Sequence, residues 1–206
     1  MEAVSTRGAE VQRGLRLEYI NIAYNLGEAV IAIACGGAAS SIALVGFGVD
    51  SLVETFSSLV MWWRLRKDHH PGREIVEQRA LRLIGVSFLL VAAYVAYESA
   101  SCLWGREEPK ASIPGILLAI ASLIVMPLLA RLKTKVGRNI ASAAMLADSK
   151  QTELCSWLSA ILLGGLLLNA SLGWWWADPV AGLLMVPLIV REGVNGLKGE
   201  VCDCHG

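Results

Sequence analysis

Residues 111–130 read ASIPGILLAIASLIVMPLLA and contain no charged side chain. In a helix, some twenty residues at about 1.5 Å each span about 30 Å, the thickness of a bilayer's hydrocarbon core. A spanning segment must satisfy its backbone polar groups internally, so this stretch predicts a transmembrane α-helix. Five further stretches of similar length and character surround it, at residues 17–37, 41–63, 81–100, 139–168 and 173–190. Pro127 marks the last turn or a bend of the charge-free helix, and Pro187 sits late in the last one.

Composition agrees with a membrane protein. Hydrophobic residues make up 55% of the chain and charged residues 17%, with a mean hydropathy of +0.54. Soluble domains carry roughly 25% charge. The predicted fold class is all-α, a six-helix polytopic membrane protein. Its expected organisation is a cytoplasmic segment at 1–16, a six-helix domain at 17–191 and a short cytoplasmic tail at 192–206. Basic residues set the expected orientation. They cluster before the first helix, between the second and third, between the fourth and fifth (Arg131, Lys133, Lys135, Arg138) and after the sixth. Both termini are therefore expected in the cytoplasm, and a bacterial inner membrane fits the absence of a targeting peptide. The tryptophans at 62–63, 104 and 174–176 read as interfacial anchors. A net charge of zero gives no electrostatic footprint for nucleic acid. The five cysteines have no disulfide spacing, and there is no nucleophile–base–acid triad, so an enzyme is not expected.

The informative residues are the polar ones inside the spans. An ionisable group there costs roughly 2.5–3.5 kcal/mol and defaults to a functional reading. Asp50 and Glu54 are four apart and share one helix face. Two carboxylates so close repel when both are ionised; a divalent cation or a shared proton relieves that. Asp148, Gln151 and Cys155 are spaced three and four apart, again on one face. They offer carboxylate, amide and thiolate donors, and sulfur tilts such a site toward zinc or cadmium. Asp50 and Gln151 both fall near mid-bilayer, so one site shared by helices two and five is geometrically possible. The alternative is a structural carboxylate pair neutralised by Lys150 or capped by serines. Weaker candidates are Asn25 and Glu28 as supporting groups, His69 and His70 at the cytoplasmic mouth, and Cys202, Cys204 and His205 in the tail. Gly46, Gly48, Gly164 and Gly165 are expected at close helix contacts.

Three segments carry a resemblance. VDSLVE (49–54), LADSKQTELC (146–155) and WWADPVAGLL (175–184) together resemble motifs of the second, fifth and sixth helices of the cation diffusion facilitator family. The resemblance implies a cation-efflux transmembrane domain. It implies proton-coupled export of divalent metal by alternating access, with Zn2+ or Cd2+ as transported substrate, H+ as coupling ion and a homodimer in the bilayer. It assigns Asp50 and Glu54 to the second-helix pair, with Glu54 where aspartate is commoner. Gln151 takes the family's histidine position and Cys155 its aspartate position, while Asp148 is an acid beside the site. Most members continue into a cytoplasmic domain of ferredoxin-like fold; here about fifteen residues follow the sixth helix. A membrane metal sensor that binds without transporting is the alternative.

Overall fold

All six stretches are helical in the computed structural model, which describes residues 2–39, 42–68, 72–105 and 113–199. The order is α1 (Glu2–Ala39), α2 (Ile42–Arg66), α3 (Arg73–Gly105), α4 (Ile113–Asn139), α5 (Ala143–Leu172) and α6 (Ala177–Lys198). Several helices outrun the expected spans. α1 absorbs most of the segment expected as a cytoplasmic leader, and α6 extends into the expected tail. α4 also runs through Arg131, Lys133, Lys135 and Arg138, which the sequence had suggested as connecting loop.

The turn between α4 and α5 has a specific chemistry. Ala141 takes a left-handed conformation at φ 48°. Ser142 then caps α5, its Oγ accepting from the Met145 N–H at 3.1 Å. α6 ends on Gly199 at φ 78°, the left-handed stop that glycine adopts without a Cβ clash.

α1 lies along α2, α3 along α6 and α4 along α5, and contacts of α1 with α4 and of α2 with both α3 and α5 close the bundle. Its polarity is inverted relative to a soluble protein. Leu26, Val30, Phe56, Leu90, Leu117 and Ile124 are among the large apolar side chains that face outward. Glu18, Asn21, Glu28, Asp50, Glu54, Lys133 and Asp148 are buried. Such a surface is stable in lipid, where an outward charge is costly and an outward leucine is not. Among the described residues, four helices are long and apolar enough to cross on that ground alone: Leu44–Arg66, Arg73–Gly105, Gly115–Asn139 and Pro179–Lys198. Of the other two, α1 buries Glu18 and Glu28 and α5 buries Asp148. The chain is an integral membrane protein.

The closest backbone approach is between α3 and α6. A Cβ on Gly85 would stand 2.8 Å from the Gly193 carbonyl oxygen, and one on Gly196 would stand 2.9 Å from the Gly85 Cα. Of the glycines expected at contacts, Gly46 and Gly48 do face neighbours, whereas Gly164 has open space around it. Gly165 lies outside the described side chains. Size alone does not mark a contact glycine; the face it occupies does.

At the basic end, one polar network ties five helices. Arg7 of α1 grips Asp68 with two parallel hydrogen bonds of 2.9 Å and donates a third to the Ile140 carbonyl at 2.8 Å. Arg64 donates to Asp68 at 3.0 Å and pairs with Glu77 of α3. Glu77 in turn accepts from Ser142 Oγ at 2.7 Å and from the Ala144 N–H at 2.8 Å, at the start of α5. A carboxylate at a helix N-terminus also meets the positive end of the helix dipole.

Two outcomes follow from this packing. Gly196→Val should destabilise the bundle by about 1–3 kcal/mol, the usual cost of overpacking, read as a lowered thermal midpoint in detergent. Burial works to raise the Asp68 carboxyl, but the Arg7 hydrogen bonds and the Arg64 and Arg7 charges outweigh it and hold the group below its ordinary value. A depressed folded value contributes stability above the unfolded value of about 4, and that contribution is lost as pH falls through the folded value. The gap in thermal midpoint between wild type and Asp68→Asn should therefore be full at neutral pH and close below about pH 4.

Candidate metal site

Gly46, Asp50, Glu54 and Ser58 recur every four residues and form one face of α2. That face points into the bundle: Asp50 and Glu54 are 7% and 1% exposed. Cys155 of α5, also buried, lies against both carboxylates. The packing of α2 on α5 that the sequence left open is therefore present, and Asp50, Glu54 and Cys155 meet at it. Among the described residues, Oδ2 of Asp50 and Oε2 of Glu54 have no hydrogen-bond donor. Glu54 Oε1 accepts from Asn21 Nδ2 at 3.1 Å. Among the described residues, no three His, Cys, Asp or Glu side chains are closed into a cage. The donors are spread over one turn of α2 with the thiol facing them.

Gln151 sits one turn before Cys155, and Ser87 Oγ of α3 lies 2.7 Å from its Oε1. The same hydroxyl lies 2.7 Å from the Ile84 carbonyl oxygen, while Gln151 Nε2 is buried with no acceptor. A hydroxyl has one hydrogen, and an amide's oxygen and nitrogen are assigned from the hydrogen bonds they make. Exchanging the amide atoms resolves both problems. Nε2 then donates to Ser87 Oγ, Ser87 donates to Ile84, and the amide oxygen is left free to accept. In this orientation Gln151 presents oxygen, the donor type a cation takes.

Glu28 is buried in a cradle of hydroxyls. Ser51 donates to Oε2 at 2.8 Å, Tyr24 donates to Oε1 at 3.4 Å, and Ser122 of α4 also reaches Oε1. Its charge reaches both Asp50 and Cys155. Asn25 spends its Nδ2 on the Asn21 carbonyl at 3.1 Å and leaves Oδ1 without a donor. Both stand beside the acids rather than among them.

Asp148 is held elsewhere. Lys133 Nζ lies 2.6 Å from its Oδ2 and 3.1 Å from Glu18 Oε2, with all three side chains at most 1% exposed. Ser57 donates to Asp148 Oδ1 at 2.7 Å. A second cluster thus lies toward the basic end, linked to the first through Ser58 and Asn21, which bond at 2.6 Å. Lys133 is the neutralising cation here. Lys150 pairs instead with Glu192 of α6 at 3.3 Å. Sequence reasoning missed Lys133, read as a loop charge, and Glu18 and Asn21. The signal was available: Glu18, Asn21, Asn25 and Glu28 are spaced three, four and three apart, a polar stripe along an otherwise apolar α1. Glu153 is exposed and shares a groove between α4 and α5 with Arg131 and Lys135. His69, His70, Cys202, Cys204 and His205 lie outside the described residues.

Removing one member of a buried ion pair typically costs about 3–5 kcal/mol, because it strands the other charge. Lys133→Met should therefore lower the thermal midpoint sharply. The double variant Lys133→Met with Asp148→Leu should recover part of the loss, which a double-mutant cycle of unfolding midpoints would read.

Sequence comparisons agree with this architecture. The family model described as "Cation efflux transmembrane domain" matches residues 19–200. Transmembrane protein 163 of Xenopus laevis is 24% identical over 193 residues, 92% of this chain and 68% of that protein. An uncharacterized transporter of Synechocystis sp. is 24% identical over 168 residues, 78% of this chain and 54% of its own length. The cadmium, cobalt and zinc/H(+)-K(+) antiporter of Bacillus subtilis is 29% identical over 136 residues, 63% of this chain and 42% of that protein. The chain thus spans between 42% and 68% of the length of these relatives. With its six helices and inward acids, the chain belongs to the cation efflux transmembrane domain family of transporters.

Proposed function

We propose that this protein exports divalent transition-metal cations, zinc or cadmium, from the cytoplasm in exchange for protons, with Asp50, Glu54, Gln151 and Cys155 as the transport site. The observation that carries this reading is the pair of buried carboxylates with unpartnered oxygens beside a buried thiol. A buried carboxylate oxygen with no donor is costly, and a bound cation removes that cost. Thiolate sulfur among oxygen donors favours zinc and cadmium over magnesium or calcium. The name of the Bacillus subtilis relative, a cadmium, cobalt and zinc/H(+)-K(+) antiporter, is consistent with that donor set.

Metal ligands bind in their deprotonated forms, so cation binding releases protons and proton binding favours cation release. An inward proton gradient then drives export when the site faces the two sides of the membrane in turn. On this reading the basic end, with both termini, faces the cytoplasm, which the distribution of Arg and Lys supports. Asp148, held by Lys133, supports the site from its cytoplasmic side rather than ligating directly. The functional unit on this reading is a homodimer in a bacterial inner membrane.

The test is metal uptake into proteoliposomes under an imposed pH gradient, for zinc and cadmium separately. Uptake should follow the gradient in wild type. Loss of a supporting group around a metal typically costs about 10–100-fold, so Asp50→Ala, which removes a ligand, should lose at least the upper end of that range. Cys155→Ala should shift preference away from cadmium. A folded wild type that binds metal but moves none would replace the antiporter with a sensor.

A further inference from the structure

The polar face of α2 does not end at Asp50. Gly46 lies one turn away on the same face, on the side opposite Glu54. The space in front of it is filled from α3. A Cβ at position 46 would stand 2.5 and 2.6 Å from the two carboxylate oxygens of Glu98 and would overlap Tyr94 Oη. Tyr94 is hydrogen bonded to Glu98, and both lie within reach of the Asp50 charge. Asp50 is more than nine-tenths buried, and its Oδ2 has no donor. It therefore shares its field with Glu54 and Cys155 on one side and with Glu98 on the other.

The two ends of this column differ in sign. Toward the basic end stand Lys133, fully buried, and the Arg7 and Arg64 guanidinium groups. In the other direction, among the described residues, the charge that reaches Asp50 is the Glu98 carboxylate. A cation at Asp50 is repelled from the first and attracted to the second. The absence of a side chain at Gly46 is what lets Glu98 approach α2 so closely. Any residue other than glycine there would push both Glu98 and Tyr94 away.

We propose that Glu98 is a second cation-holding carboxylate, which receives the metal ion from Asp50 on the side of the bundle away from Lys133. The proposal rests on the reading of Asp50, Glu54 and Cys155 as the transport site. A relay ligand has a distinctive kinetic signature. It acts more on the barrier between the bound and free states than on either state, so its loss slows binding and release far more than it changes the equilibrium constant.

The experiment loads the purified protein with Zn2+ and follows release to a fluorescent chelator by stopped flow, beside an equilibrium titration and a thermal unfolding curve. Glu98→Gln should keep the Zn2+ Kd within about threefold and slow release about tenfold, the scale expected for losing one attraction along the path. Glu98→Asp, which keeps the charge on a shorter stem, should release at an intermediate rate. A folded Glu98→Gln that releases zinc at the wild-type rate overturns the proposal. So does a Kd weakened as much as in Asp50→Asn, which would make Glu98 a member of the first site. If Glu98→Gln does not fold, a wild-type release rate in Glu98→Asp overturns it instead. Failure of the transport-site reading is separately visible: Asp50→Asn would then bind zinc as tightly as wild type, whatever Glu98 does.

Discussion

The structure depends on one constraint: a charge facing hydrocarbon costs several kcal/mol, so Glu18, Glu28, Asp50, Glu54 and Asp148 turn inward, while Glu153 keeps the company of Arg131 and Lys135 in the α4–α5 groove. Leucine loses nothing by facing lipid, and the outward surface is accordingly apolar. The inward groups cannot be scattered, because each needs a partner at hydrogen-bonding distance. They gather on the face of α2 that carries Gly46, Asp50, Glu54 and Ser58, and this face selects its neighbours. α1 supplies Asn21 and Glu28, α3 supplies Ser87 and Glu98, and α5 supplies Gln151 and Cys155. The α3–α6 crossing, where glycine meets glycine, lets α6 close over α3 without disturbing that arrangement.

Two acidic clusters sit in the same bundle and differ in how they are neutralised. Glu18 and Asp148 share a fixed internal cation, Lys133, and serine and threonine hydroxyls join the cluster. Among the described residues, Asp50 and Glu54 have no such cation at contact distance, and each keeps an oxygen without a donor. The first cluster thus carries its own cation, although Glu18 Oε1 has no hydrogen-bond donor among the described residues. On the proposed reading a bound metal ion supplies that cation to the second, which is the physical content of the transport site. Glu28 shows the third solution, a carboxylate satisfied almost wholly by hydroxyl donors.

Much of this was legible from residue spacing. Acids four apart at 50 and 54, and the 148–151–155 pattern, placed two polar faces on the right helices, and six apolar stretches placed the helices themselves. What escaped was pairing across helices. Asp148 shares the face of Gln151 and Cys155, yet its carboxylate is drawn away by Lys133, whose position in a basic run gave no hint of complete burial. A helix-face argument fixes where a side chain starts but not which neighbour captures its tip. The polar stripe of α1 from Glu18 to Glu28 was readable by the same spacing rule, and only its middle and end drew notice. Glycines misled for a similar reason: Gly164 and Gly85 look alike in sequence, and only the neighbouring backbone distinguishes them.

The departures at 151 and 155 have a consequence for coupling. An amide carries no titratable proton, so Gln151 can position a cation but cannot exchange a proton for it. A histidine there would do both near neutral pH. On the proposed reading, the protons released on binding must come from Asp50, Glu54 and Cys155, the two carboxylates and the thiol that lies against both. On that reading metal preference and proton coupling rest on the same three side chains, and a substitution at Cys155 bears on both.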